Sequence, residues 1–467
     1  MRIAGFSGPP YTQPWSQTVA DRCVNLYPER QGDQVVLIGR PGLAVDTDLL
    51  TGAPVRGLFS QDGRTFAVSG TDFFERFGPG AVIRRGSVAI DTRPVGMYSN
   101  GLAGNQLFFV TGGIGYLFTL SSNAFATVAS GFPAGAVMGG QMDGYFFVLT
   151  ENGRFLISAL NDGATWDAAD VARRSQGSDT WASMLLEPPN LWLWGSQTGE
   201  VWYNNGASDF PLAAIPNVFL EVGVAAIFSP ANVDGAVLWL GATKTGQRIV
   251  YQADQFSPVR VSTHGVERAL QAAPTVSDAI GWGEQIEGHS WYVLTCPVAR
   301  MTWGYDLELK AWHEREYWPD TGVAEAYLGR SQCVLGDGTR LVGSRVDGVI
   351  YRAGLGTYRD GGRPLRRLRR PPRITDDDDR RLFHQHLHLV TDAGQGPATA
   401  ILRWSDDRGQ TFSHDHLATT GKVGEYQTRI DWGPLGASRG RGYEWLTTDN
   451  APVVWRDAYL DVLRRTS

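Results

Sequence analysis

Charged residues are scarce, at 19% of 467 residues against 42% hydrophobic. A chain so poor in charge buries a large core and is not disordered. Cysteine is scarcer still. Cys23, Cys296 and Cys333 are odd in number, far apart and without CxxC spacing, so neither a disulfide scaffold nor a zinc site is indicated, and a reducing compartment fits. Basic excess is missing too: the formal net charge is −6. The bulk surface therefore offers no footprint for gripping a duplex, although passive contact with DNA stays open. Met1 to Pro10 holds no apolar signal core, and no later window approaches about eighteen uninterrupted apolar residues. Neither export by a signal peptide nor a membrane span is expected. Helix signals are few and short: Asp167 to Arg174, and Glu267 to Ala273 stopped by Pro274.

What is present is glycine and aromatic residues, with 57 Gly, 16 Trp, 16 Tyr and 20 Phe, a balance that suits many short strands joined by tight turns. The stretch from Gly288 to Arg315 shows the pattern best. Three runs of aromatic and β-branched residues, 288–297, 302–306 and 312–315, are punctuated by Pro297 and polar turns. In the first run both alternating faces, Trp291/Val293/Thr295 and Tyr292/Leu294/Cys296, are apolar or nearly so, which implies a sheet covered on both sides. Propeller blades are sandwiched in this way. Asp62-Gly63, Asn152-Gly153, Asp234-Gly235, Asp337-Gly338 and Asp347-Gly348 recur between apolar runs as hairpin turns.

Two segments match the turn called the Asp-box in propeller proteins. Ser405 to Phe412 fits S-x-D-x-G-x-T-W/F with Asp407, Gly409 and Phe412 in the key places; Asn161, Gly163 and Trp166 fit its second half, with Asn161 in the Asp place. The chemistry is structural: a short carboxylate or amide accepts backbone N–H groups, Gly supplies positive φ, and the aromatic plugs the blade. Asp306 to Trp312 is a looser variant. The fold class is mainly β, a β-propeller of six to eight four-stranded blades with an N-terminal extended arm and additional β structure at the C-terminus. Expected units are an arm, 1–45, rich in proline; a propeller body, 46–360; an Arg/Asp-rich loop or linker, 361–381; and a C-terminal β segment, 382–467, either a last blade or a platform.

Several clusters resemble the packaged-DNA stabilisation proteins of short-tailed bacteriophages, the hub or nozzle below the portal. They are Asp21 to Glu29 with Pro41-Gly42-Leu43, Gly195 to Tyr203, Ser262 to Glu267, Gly288-His289 through Trp312-His313-Glu314-Arg315, and Asp360-Gly361-Gly362. The Ser405 to Phe412 box, with Tyr426, Arg429, Trp432 and Leu435-Gly436, completes the series. Each is weak alone; their order along the chain makes the match specific. Residues 65–145 and the Arg/Asp run carry little of it. The resemblance implies a structural protein of the virion tail, made in the bacterial host cytoplasm and forming a hexameric ring around the DNA exit channel. Expected partners are further copies of itself, the tail adaptor under the portal, a tail needle or plug, and fibres or spikes. Contact with genomic DNA is transient, and no membrane insertion by the protein itself is implied.

Other readings of the same residues are weaker. His384, His386 and His388 alternate and so share one face of a strand, but same-face neighbours lie about 7 Å apart, too far for one metal ion. His289 and His313 lack any Ser or Cys nucleophile motif beside them and read as core hydrogen-bonding groups. A ligand- or carbohydrate-binding propeller, or a sialidase-like glycoside hydrolase, would share the Asp-box, which speaks for fold and not for chemistry. No catalytic, metal-binding or cofactor-binding residue is assigned, and the chain is expected to be no enzyme. Arg366, Arg367, Arg369 and Arg370 with Asp376, Asp377, Asp378 and Asp379 are candidate subunit or adaptor contacts. Arginines at a bore would also clamp phosphates.

Overall fold

Seven antiparallel sheets succeed one another along the chain, at residues 55–87, 97–127, 136–172, 183–214, 223–260, 280–317 and 329–354. They are described here as blades 1 to 7. The computed structural model describes residues 1–8, 21–129, 131–172, 174, 179–208, 210–243, 245–392, 398–426 and 429–464. Tight hairpins close the blades where the sequence supplies positive φ: Asp62 and Gly63 sit at 51° and 75°, Asp234 and Gly235 at 53° and 78°. Residues other than Gly, Asn and Asp tolerate such turns poorly.

Hydrophobic packing shows how the blades are arranged. Trp291 and Val293 of strand His289–Cys296 pack with Trp282, Tyr327 and Val342 toward blade 7, whereas Tyr292, Leu294 and Cys296 pack with Leu238, Leu240 and Val250 of blade 5. All eight residues of that strand are buried, as expected for a sheet covered on both faces. The same alternation joins blade 1 to blade 2 through Phe66, Phe73 and Phe109, blade 2 to blade 3 through Phe108 and Phe146, blade 3 to blade 4 through Phe155 and Trp181, and blade 4 to blade 5 through Trp194 and Trp239. Leu341 and Ile350 of blade 7 meet Val55 and Phe74 of blade 1. The ring is therefore closed at seven blades.

Closure uses the N-terminal region. Gly42–Asp48 pairs antiparallel with Val349–Gly354 and forms the outer strand of blade 7. The strands before it belong to a second domain, a β-sandwich. One of its sheets runs Leu26–Gln31, Gln34–Gly39, Val454–Arg464, Leu382–Thr391, Ile430–Trp432; the other runs Arg22–Val24, Arg367–Arg370, Gly440–Thr447, Thr399–Ser405, His416–Thr419. Between them lie Trp445, Trp455, Leu387, Leu402 and Leu460, with Ile3 and Phe6 from the chain start. The arm expected at 1–45 is thus strand structure in both domains, and the C-terminal segment is a sandwich completed by residues 22–39. Pro28 occupies the edge strand, where a missing N–H costs no ladder bond. Pro9, Pro10 and Pro14 lie outside the described residues.

Helix His264–Ala272 buries Val266 and Leu270 between blades 5 and 6, and Glu267 to Ala273 was the stretch expected to be helical. Asp167 to Arg174 is different. Residues 167–172 are the end of strand Asp162–Ala172, where Val171 pairs with Leu156 and Ala172 with Phe155. A neighbouring strand with open hydrogen-bonding groups outweighs weak helical propensity. Arg173 lies outside the described residues.

Candidate functional site

The two domains meet along a seam built by segments hundreds of residues apart. Val24 pairs in parallel register with Glu314, so a hydrogen-bonded sheet passes from blade 6 into the sandwich. Asn25, buried at φ 53°, sits at the crossing. Its Nδ2 donates to Glu316 O at 3.1 Å and Arg366 O at 2.7 Å, while its Oδ1 accepts from Arg40 Nε at 2.7 Å. Arg40 grips both oxygens of Asp360. Arg22 reaches Glu314 at 2.8 Å, Arg366 reaches Glu316 at 2.6 Å, and Arg315 pairs with Glu284 behind them. Attraction by Glu314 raises the pKa of Arg22 against its burial. Clusters far apart in the sequence, 21–29, 288–289, 312–315 and 360, are brought together at this joint.

The arginine run contributes a strand to the seam; the expected surface loop is corrected here. Arg367–Arg370 hydrogen-bonds Arg22–Val24 on one side and Gly440–Thr447 on the other. Arg369 is fully buried, donating to Asp21 Oδ1 at 2.5 Å and Phe6 O at 2.6 Å. Arg370 donates to Glu444 at 3.0 Å and covers the Phe412 ring at 4.9 Å. Arg366 lies 4.2 Å over Trp318. Arg367, also fully buried, donates to Asp449 O at 3.3 Å and forms no ion pair among the described residues; burial pushes its pKa down to about 10. Gly39 makes room for it, since a Cβ there would lie 2.6 Å from Arg367 Nε. Of the acidic run, Asp376 is buried, and Asp377, Asp378 and Asp379 are exposed, with Asp378 near Arg380 and Asp379 near Arg439.

The turn residues also sort themselves. In the 405–412 box Asp407 accepts from Ser405 Oγ at 2.7 Å, Thr411 N at 2.9 Å and Thr411 Oγ1 at 2.6 Å, which holds its pKa low. Gly409 has φ 87°. This box lies in the sandwich, where the half-exposed Phe412 plugs no blade. In the 161–166 segment Asp162 takes the capping role expected of Asn161, accepting from Ala164 N and Thr165 Oγ1. Asn161 supplies the positive φ of 56°, and Gly163 is small because a Cβ would meet Leu117 at 2.7 Å. Trp166 is buried between blades 2 and 3, and Trp312 between blades 5 and 6, donating to Val261 O at 2.9 Å.

Asp306 caps its turn through Glu308 N and Leu309 N and turns its other oxygen to Trp291 Nε1 and His289 Nδ1. His289 Nε2 meets Glu29 of the sandwich edge strand at 2.5 Å. Burial alone would lower the His289 pKa, but the two carboxylates outweigh it and raise it to about 9. His313 is held neutral by burial and by Arg315 and accepts from Arg315 Nε at 3.0 Å. The three alternating histidines do not share a face. A β-bulge at Gln385 breaks the register, so His384 turns inward to Ser438 and Tyr443 while His386 is exposed; burial lowers His384 to about 4. Sequence reasoning passed over Arg40 and Glu316. The alternation of Glu314 and Glu316 on one strand face was the available signal.

Comparison with known proteins follows this architecture domain by domain. The family model of the bacteriophage P22 Gp10 β-propeller matches residues 10–353, and that of the Gp10 β-sandwich matches 372–462. No curated protein sequence matches the chain. Among solved structures, the N-terminal domain of Nup159 is 10% identical with a TM-score of 0.43, covering 73% of this chain and 99% of that one. Streptogramin B lyase is 12% identical at 0.39, covering 66% and 96%, and the WD40 propeller domain of Doa1 is 10% identical at 0.40, covering 68% and 97%. Likeness this low carries no functional weight. With its propeller and its sandwich both matched, in order and over most of its length, the chain belongs to the bacteriophage P22 Gp10 family, the packaged-DNA stabilisation proteins of short phage tails.

Proposed function

We propose that the protein is a structural subunit of the tail hub, or nozzle: a ring that encloses the DNA exit channel, helps retain the packaged genome and lets it pass on ejection. Family membership supports a structural role in the virion tail over catalysis. The observation that carries the reading is the seam, where a continuous sheet and the Arg22, Arg40 and Arg366 pairs bind propeller and sandwich into one stiff unit. A part that holds DNA under pressure has to resist hinge motion between its domains.

Six copies closing head to tail, the adaptor under the portal, a needle or plug, and fibres or spikes complete the proposal, with synthesis in the host cytoplasm and no membrane insertion. Ring closure needs a heterologous contact. Arg366, Arg369 and Arg370 are engaged inside the chain by carboxylates and Arg367 is enclosed, so the exposed Asp377 to Asp379 turn is the better part of the original contact surface. A net charge of −6 suits a channel wall that repels the duplex and keeps friction low. Mass photometry and negative-stain imaging of the protein with its adaptor test this. A six-membered ring with a bore wide enough for duplex DNA is expected, weakened by combined D377N, D378N and D379N. A chain that stays monomeric at every concentration with adaptor present would overturn it.

A further inference from the structure

The propeller axis opens on the face where the innermost strand of each blade begins, and a cavity of about 560 Å³ lies there. Its wall is drawn from blades across the ring from one another: Thr92 to Pro94 leading into blade 2, Phe228 of blade 5, Asp278 and Ile280 of blade 6, Arg330 and Arg345 of blade 7. Only the axis is shared by all of these.

Two of its arginines, Arg330 and Arg345, make no ion pair among the described residues, and the carboxylates that act on them, Asp91 and Glu325, do so without contact. Arg330 gives one Nη2 proton to Thr92 O, and its Nε is buried without a partner. Arg345 donates to Tyr327 O at 3.2 Å and Ala326 O at 3.1 Å, both neutral carbonyls. Arg56, buried close behind, donates to Gly70 O at 2.8 Å and Thr111 Oγ1 at 2.6 Å, and its Nε is likewise unpartnered. None of the three forms an ion pair among the described residues, whereas Arg93 beside them pairs with Asp91 and Glu151. Burial lowers the pKa of all three, Arg330 to about 10, with Arg56 and Arg345 repelling it in the same direction. Guanidiniums that line an open cavity without a carboxylate in contact are a standing demand for an anion.

The remaining lining narrows the choice of anion. Asp278 accepts Val298 N–H at 2.7 Å through one oxygen, and its other oxygen is buried with no partner. A free phosphate carries negative charge on every side and is repelled by this carboxylate. Phe228, Ile280 and Pro297 add an apolar wall that neither phosphate nor a nucleic-acid backbone would use. A peptide supplies all three chemistries at once. We propose that the mouth of the propeller binds an acidic peptide segment of a partner protein. Its carboxylate sits against Arg330 and Arg345, an adjacent apolar side chain against Phe228, Ile280 and Pro297, and a backbone N–H points to Asp278. The site is complete in one copy and needs no ring.

Calorimetric titration and thermal melting of the full chain test this with a capped tetrapeptide carrying one glutamate among leucines. Its glutamine twin, glucuronate and inorganic phosphate are the comparison probes. The glutamate peptide is expected to raise Tm and to bind about tenfold or more tightly than the twin, as a charge-assisted contact should, and to weaken by a similar factor in R330M and in R345M. Where one variant fails to fold, the other and the loss of affinity at high salt serve instead. Equal binding of the glutamine twin, no binding at millimolar peptide, or tighter binding of glucuronate or phosphate would each overturn the proposal.

Discussion

Arginine is wholly or partly buried in two parts of this molecule under opposite conditions. At the seam, Arg22, Arg40, Arg315, Arg366, Arg369 and Arg370 each meet a carboxylate. At the propeller mouth, Arg56, Arg330 and Arg345 meet only carbonyls and a hydroxyl among the described residues. Arg367 stands between the two cases, wholly enclosed and without an ion pair among the described residues. Pairing inside the chain fixes a joint, since losing either partner strands a charge away from water. Leaving guanidiniums unpaired beside open space keeps their interaction energy available to something else.

This contrast can be broken most severely at Arg40. Replacing it with methionine leaves Asp360 buried alone and is expected to cost about 3–5 kcal/mol, read as a fall in the denaturant midpoint; R40M with D360N together should recover part of the loss. Next is the His289 link between Asp306 and Glu29. The folded protein keeps that imidazole protonated up to about pH 9, whereas an unfolded histidine loses its proton near 6.5. The raised pKa therefore contributes stability that is complete below about pH 6.5 and is lost as pH rises through about 9. Tm should fall across that window in the native chain and much less in H289Q. The smallest effect is expected at the mouth: R330M should change stability by no more than about 0.5 kcal/mol without ligand, because no ion pair is lost. A large destabilisation would place Arg330 with the seam arginines.

Legibility in the sequence followed the range of the interactions. Strand His289–Cys296 announced two-sided burial because eight consecutive residues carry it. Blade number was hidden, since blade 7 is assembled from 329–354 and 42–48, and no local repeat spans that gap. The arginine run looked like a solvated loop because charge density is a local property, whereas the groups that neutralise it, Asp21, Glu316 and Glu444, come from elsewhere in the chain. The Gln385 bulge reversed the histidine faces in the same way: one extra residue shifts every side chain after it. Lys244, Lys310 and Lys422 are the only lysines among 42 lysines and arginines, a bias that suits fork-shaped pairing inside the protein and that net charge alone concealed.

The strand Gly42–Asp48 also sets a timetable for the cell. It leaves the ribosome about 300 residues before Val349–Gly354, its partner, a wait of roughly 15 s to a minute at about 5–20 residues per second. Residues 22–39 wait longer, for the sandwich strands that follow. A polypeptide that stops before residue 349 can therefore finish neither domain, and one that stops between there and residue 454 leaves the sandwich open. Joining the first-made strands to the last-made ones ties the folding of the sandwich to translation as far as residues 454–464.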